Sequence, residues 1–124
     1  MPKNETAIRS FITAWSRLNA EELVDFFTED GTYHNMMLPP VTGREKLLPY
    51  INRFVSGWSE TAWEIVNLLS HGDIVVAERV DRTRIGEQRV ELPCTGVFEM
   101  RDGKIKMWRD YFDMGTYTRA FGQG

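Results

Sequence analysis

The chain is poor in the residues that most often carry chemistry. It has one cysteine, Cys94, which cannot form a disulfide within the chain. Cys94 lies in a β-like stretch with no His or Asn pattern directed at it, so it reads as a packed thiol rather than a nucleophile. Histidine is nearly as scarce. His34 tempts as a general base on residue type alone, but His71 sits in a His-Gly-Asp turn. The pair has no metal-ligand spacing, so no metal site is expected. Lysine and arginine never gather into a run and the net charge is −3, which leaves no electrostatic footprint for nucleic acid or an anionic membrane. No stretch is apolar enough to span a bilayer. The opening Met-Pro-Lys-Asn-Glu-Thr-Ala lacks the apolar segment of a signal peptide, so a cytoplasmic address is expected.

Large flat side chains are plentiful instead. Aromatics make up 12% of the 124 residues, with four Trp and seven Phe, enough both to fill a core and to line a pocket. A chain of this length is expected to form one domain, residues 1–124, with a core of its own.

The first third has helical periodicity. Ala7, Ile8, Phe11, Ile12, Trp15 and Leu18 recur at intervals of three and four, predicting a helix over 5–17. Asn19 with Glu22 three residues on resembles a capping box for a second helix over 21–27, buried through Leu23, Phe26 and Phe27 and ended by Asp30-Gly31. Residues 32–36 read as extended, with Tyr33 and Asn35 on one face and His34 on the other. A phenol and a carboxamide on one face can hold a water or a substrate oxygen, although such residues are also common at strand ends for structural reasons. After the stiff apolar loop Met37-Leu38-Pro39-Pro40, a third helix over 44–54 turns Leu47, Leu48, Ile51 and Phe54 inward. Pro49 inside it predicts a kink or a restart.

From Trp58 onward the period is two. Strands are predicted over 63–69, 74–85, 88–92, 95–100 and 104–112, with Asp102-Gly103 as a hairpin turn. Helices followed by strands argue an α+β fold: N-terminal helices on a curved, mainly antiparallel sheet, making a cone.

Two strands carry the chemistry. Over 104–112, alternation sets Ile105, Met107, Arg109 and Tyr111 on one face and Lys106, Trp108, Asp110 and Phe112 on the other. Asp110 between two aromatics either points at solvent or sits at the floor of an apolar pocket, where desolvation makes a carboxylate more basic. Over 74–82, Val75, Ala77, Arg79 and Asp81 share a face. An Arg/Asp pair at i, i+2 suits a pocket wall ending in an ion pair, though charges on antiparallel strands are more often solvated rungs.

Tyr33-His34-Asn35-Met36, Leu38-Pro39-Pro40 with Gly43-Arg44, Glu78-Arg79-Val80-Asp81, Gly96-Val97-Phe98-Glu99, Asp102-Gly103-Lys104-Ile105 and Trp108-Arg109-Asp110-Tyr111-Phe112-Asp113 occur in this order. Together they closely resemble the limonene-1,2-epoxide hydrolases, nearly end to end. The resemblance implies a cone of the nuclear transport factor 2-like superfamily, a homodimer, and hydrolysis of epoxides to vicinal diols without metal, cofactor or covalent intermediate. It places the basic carboxylate on Asp110, the bridging arginine on Arg79, the acid on Asp81 and the water holders on Tyr33 and Asn35. Leu38, Trp108 and Phe112 would line an apolar substrate pocket. Met37 departs from the family, which tends to have proline there, and so does Pro49 within its helix. The same cone hosts ketosteroid-isomerase-like and polyketide-cyclase-like enzymes, in which a carboxylate abstracts a carbon-bound proton. A non-catalytic ligand binder is the third class.

Overall fold

The computed structural model describes residues 3–121. Helix α1, Lys3–Ala14, runs into a 3₁₀ turn at Trp15–Arg17, and its apolar stripe, Ile8, Phe11, Ile12 and Trp15, is almost wholly buried. Asn19 caps α2 as the pattern predicts, its side chain accepting from the Glu22 amide at 3.1 Å, while the Glu22 carboxylate pairs with Arg17 at 2.7 Å. Helix α2, however, ends at Val24 rather than reaching Phe27. Phe27 instead opens strand β1, Phe27–Asn35. Its carbonyl accepts from Arg44 Nε at 3.0 Å, and the neighbouring Phe26 carbonyl accepts from the Ile105 amide at 2.8 Å. Tertiary hydrogen bonds thus override a local helical pattern. Asp30-Gly31 does not end a helix but lies within β1, where a Cβ on Gly31 would stand 2.9 Å from the Ile105 carbonyl oxygen.

After the short β2, Val41–Thr42, helix α3, Arg44–Val55, runs unbroken through an exposed Pro49 and buries Leu47, Ile51 and Val55. The predicted restart does not occur. Strands β3 (Glu60–His71), β4 (Ile74–Ile85), β5 (Gln88–Arg101) and β6 (Lys104–Phe112) follow as a meander, and α4, Met114–Phe121, closes the order. The two strands predicted over 88–100 are one. Pro93 faces Val80 of β4 but lies just past Cys94, the last β5 residue paired with β6, so its missing N–H costs no rung on that side.

The sheet order is β2-β1-β6-β5-β4-β3, antiparallel except where β1 runs parallel to β6. This is the α+β fold expected, a curved, mostly antiparallel sheet with helices packed on it. Strict alternation fails once within β6. Pairing passes from Met107 opposite Glu99 to Ile105 opposite Met100, leaving Lys106 as a bulge. Ile105 and Trp108 are therefore both buried, and Lys106, expected on the face of Asp110, is exposed. The core centres on rings: Phe11 meets Trp108 edge-on at 5.1 Å, and Trp108 stacks on Phe98 at 5.3 Å.

Candidate active site

Register places the polar groups. Asn35 on β1 is the strand partner of Asp110 on β6, which is also opposite Gly96 on β5. Arg79 and Asp81 are on the inward face of β4, opposite Cys94 and Leu92. Burial follows the expected faces: Val75, Ala77, Arg79 and Asp81 are all buried, as are Tyr33 and Asn35, whereas His34 turns away.

Arg79 forks between the two carboxylates. Its Nε and Nη2 donate to Asp81 Oδ1 and Oδ2, and its Nη1 and Nη2 to Asp110 Oδ1 and Oδ2, all at 2.9 Å. The guanidinium lies 4.6 Å from the Trp63 ring centroid. Burial acts against its charge, but Asp110 and Asp81 outweigh that and hold Arg79 firmly cationic. Burial raises the Asp110 pKa above the ordinary carboxylate value; the charge and hydrogen bonds of Arg79 pull it partly back, and Asp81 adds repulsion. The Trp108 indole N–H makes no hydrogen bond of normal geometry, although it lies close enough to Asp110 to favour the carboxylate. Burial, then the charge of Asp110, lift the Tyr33 phenol well above its usual pKa, so that Tyr33 is a neutral donor at any working pH.

Above these groups opens a cavity of about 590 Å³, part of it continuous with solvent. Tyr33, Asn35, Asp81 and Asp110 form its floor. Phe54 and Trp58, from the end of α3 and the loop after it, make one wall with Trp63. Phe112, Met114 and Tyr117 make another, and Trp58 Nε1 donates to the Tyr117 hydroxyl at 3.2 Å across the gap. Leu38 and Phe112, expected to bind substrate, do line the cavity. Trp108, expected with them, does not; it is wholly buried behind Tyr33, stacked on that ring at 4.1 Å and 5°. Among the described residues, no group of His, Cys, Asp and Glu side chains is placed to hold a metal ion.

Two features were missed in the sequence, and a third, Cys94, was read as a packed thiol without its carboxylate partner. A Cβ on Gly96 would stand 2.8 Å from Trp108 Nε1 and 3.0 Å from Arg79 Nη1, so this glycine makes room for the guanidinium. A glycine inside a strand was the available signal. Cys94 donates its thiol to Asp81 Oδ2 at 3.3 Å, and burial raises its pKa far above normal, which fits the packed thiol expected. Tyr50, Phe54 and Trp58 recur every four residues, and that spacing carries α3's aromatic edge over the site.

A family model described as limonene-1,2-epoxide hydrolase catalytic domain matches residues 2–122. The chain is 34% identical over 118 residues to epoxide hydrolase EphG of Mycobacterium tuberculosis, covering 95% of this chain and 78% of that protein. The solved structure of a limonene-1,2-epoxide hydrolase-like epoxide hydrolase of M. tuberculosis superposes with a TM-score of 0.83 at 26% identity, covering 95% of this chain and 88% of that one. A protein of ketosteroid isomerase-like fold from Catenulispora acidiphila shares the architecture, with a TM-score of 0.85 at 22% identity over 95% of this chain and 93% of its own. The resemblance read from the motifs is borne out: the chain belongs to the limonene-1,2-epoxide hydrolase family.

Proposed function

We propose that the chain converts apolar epoxides, terpene-like or cyclic, to vicinal diols in one step, through a water activated by the site itself. Tyr33 and Asn35 hold the water. Ionised Asp110 takes one of its protons as the oxygen attacks a ring carbon, and Asp81 gives a proton to the epoxide oxygen as the C–O bond breaks. One water is added, and exchange with solvent returns the proton from Asp110 and reloads Asp81. The reaction uses no metal, cofactor or covalent intermediate.

The observation that carries this reading is the Arg79 fork at the floor of an apolar cavity. With both aspartates ionised the three groups hold one excess negative charge. Burial favours offsetting it with a single proton, which supplies one base and one acid. The raised pKa of Asp110 makes it a stronger base than an exposed aspartate. The apolar side chains above suit a hydrophobic substrate, which would displace water from the cavity on binding. The test is a single turnover in oxygen-18 water with enzyme in excess. Direct attack labels the first diol; an ester formed on Asp110 would deliver an unlabelled enzyme oxygen instead and overturn the water mechanism.

The basic Asp110 beside a neutral phenol would also serve an isomerase that moves a carbon-bound proton. Parallel assays with cyclohexene oxide and a Δ5-3-ketosteroid separate the two. The protein is proposed to work as a cytoplasmic homodimer. Its contact would be the sheet face opposite the cavity, through Val76, Val80, Met107 and Tyr111, the last 44% exposed. Sedimentation of only a 14.4 kDa species at micromolar concentration would contradict it.

A further inference from the structure

We infer that Tyr50 is a positioning residue for the attacking water, acting through Asn35; this rests on the water-holding role proposed above. Tyr50 stands on α3 and is not part of the cavity lining. Its hydroxyl accepts from Asn35 Nδ2 at 3.1 Å. Its ring meets Tyr33 edge-on at 5.7 Å and 82°, and Phe54 at 5.1 Å and 78°. It therefore touches both proposed water holders without reaching the substrate.

A primary carboxamide has one end that only accepts and one that only donates. The attacking water has two protons and two lone pairs. One proton goes to Asp110 and one lone pair to the epoxide carbon. Tyr33, a neutral phenol, donates to the remaining lone pair, so the second proton needs an acceptor, which Asn35 Oδ1 supplies only while Nδ2 is turned elsewhere. Tyr50 engages Nδ2. With its amine end held on the Tyr50 oxygen, Asn35 leaves its carbonyl oxygen for the water. An amide reversed at this point would donate to the lone pair needed for attack.

Tyr50→Phe keeps the ring and removes the oxygen. The expected result is a fall in kcat of roughly 10- to 100-fold from a loosened water, with KM and the melting temperature nearly unchanged. Asn35→Ala is expected to lose at least as much. In the Asn35→Ala background, Tyr50→Phe should then change kcat less than twofold, because its effect passes through the missing amide. The Asn35 side-chain amide resonances, assigned by their loss in Asn35→Ala, should shift in Tyr50→Phe. Wild-type kcat in Tyr50→Phe beside an impaired Asn35→Ala would overturn the positioning role alone. Full multiplication of the two losses would assign Tyr50 a separate effect and overturn it too. Wild-type kcat in Asn35→Ala would instead remove the water-holding reading beneath it.

Discussion

The floor and the rim of the cavity are built by different means. The floor gathers Tyr33, Asn35, Asp81 and Asp110, with Arg79 bridging the two aspartates, from β1, β4 and β6 at positions fixed by strand pairing, and all five are buried. The rim draws Leu38, Phe54, Trp58, Met114 and Tyr117 from two loops and two helices, held by ring packing and the Trp58–Tyr117 hydrogen bond. A residue in the floor cannot move without breaking a ladder or a charged hydrogen bond. A residue in the rim can shift at the cost of a few contacts. On the mechanism proposed above, the chemistry would belong to the floor and substrate selection to the rim, and substitutions in each should show it.

Asp110→Asn should have the largest effect, cutting kcat/KM about a thousandfold or more in a folded protein, because an amide of the same shape cannot take the water's proton. In the unmodified enzyme, kcat/KM should fall with acid around a midpoint above the ordinary carboxylate range, since burial raises the Asp110 pKa. Stability has the opposite sign. Between the unfolded pKa and the raised folded one, the folded chain binds the extra proton, so stability falls as pH rises through that window. Urea midpoints against pH measure this slope, and Asp110→Asn should remove it.

Next is the arginine that joins the two carboxylates. Arg79→Met leaves two buried carboxylates facing each other unpaired, and should cost about 3–5 kcal/mol of stability in urea denaturation together with much of the activity. Gly96→Ala reaches the same group from behind. The new Cβ would press on Trp108 and on a guanidinium pinned by its four hydrogen bonds to Asp81 and Asp110, so neither can give way cheaply. A loss of about 1–3 kcal/mol is expected, with reduced kcat. Unchanged stability in Gly96→Ala would show the floor to be softer than its register implies.

This contrast also explains what was legible in the sequence. Tyr33 with Asn35, and Arg79 with Asp81, are i, i+2 pairs on strands, so alternation alone placed each pair on one face, and only the family resemblance turned those faces inward. The strands over 74–85 and 104–112 were read to their observed ends. Alternation could not show the bulge at Lys106, because its cause is the pairing of β6 with β5, nor the capture of Phe27 by the sheet, which depends on Arg44 seventeen residues on. The rim was nearly invisible. Trp58, Trp63 and Tyr117 come together only when α3, β3 and α4 are in place, and Trp108, read as lining from its neighbours, is drawn behind Tyr33 by ring stacking.

Trp58→Phe tests the rim directly. It keeps an apolar ring against Phe54 but removes the N–H that reaches Tyr117. The expected result is a rise in KM of a few-fold and altered enantiomer preference, with kcat within about twofold, since a partly exposed neutral hydrogen bond contributes only about 1 kcal/mol. A collapse of kcat instead would mean that the rim positions the reacting atoms and that the division drawn above is false.

The smallest effect is expected at Met37, where rim and backbone strain meet. Leu38 N donates to the Asn35 carbonyl at 2.8 Å, closing a turn whose third residue, Met37, has φ of 91°. A side chain there costs about 1–2 kcal/mol relative to a relaxed backbone, and Met37 is 74% exposed, so little packing offsets it. Met37→Gly relieves the strain but adds roughly 0.4–1 kcal/mol of unfolded-chain entropy, leaving a net gain of up to about 1.6 kcal/mol. Proline, which the family tends to have here, is locked near φ −65° and cannot enter this turn. Met37→Pro must therefore redirect the loop and carry Leu38, a cavity wall, with it. Its expected signature is a changed ratio of kcat/KM between the two enantiomers of a substrate, while the acid limb set by Asp110 stays where it was. A shifted acid limb would show that the turn after Asn35 acts on the floor as well as the rim.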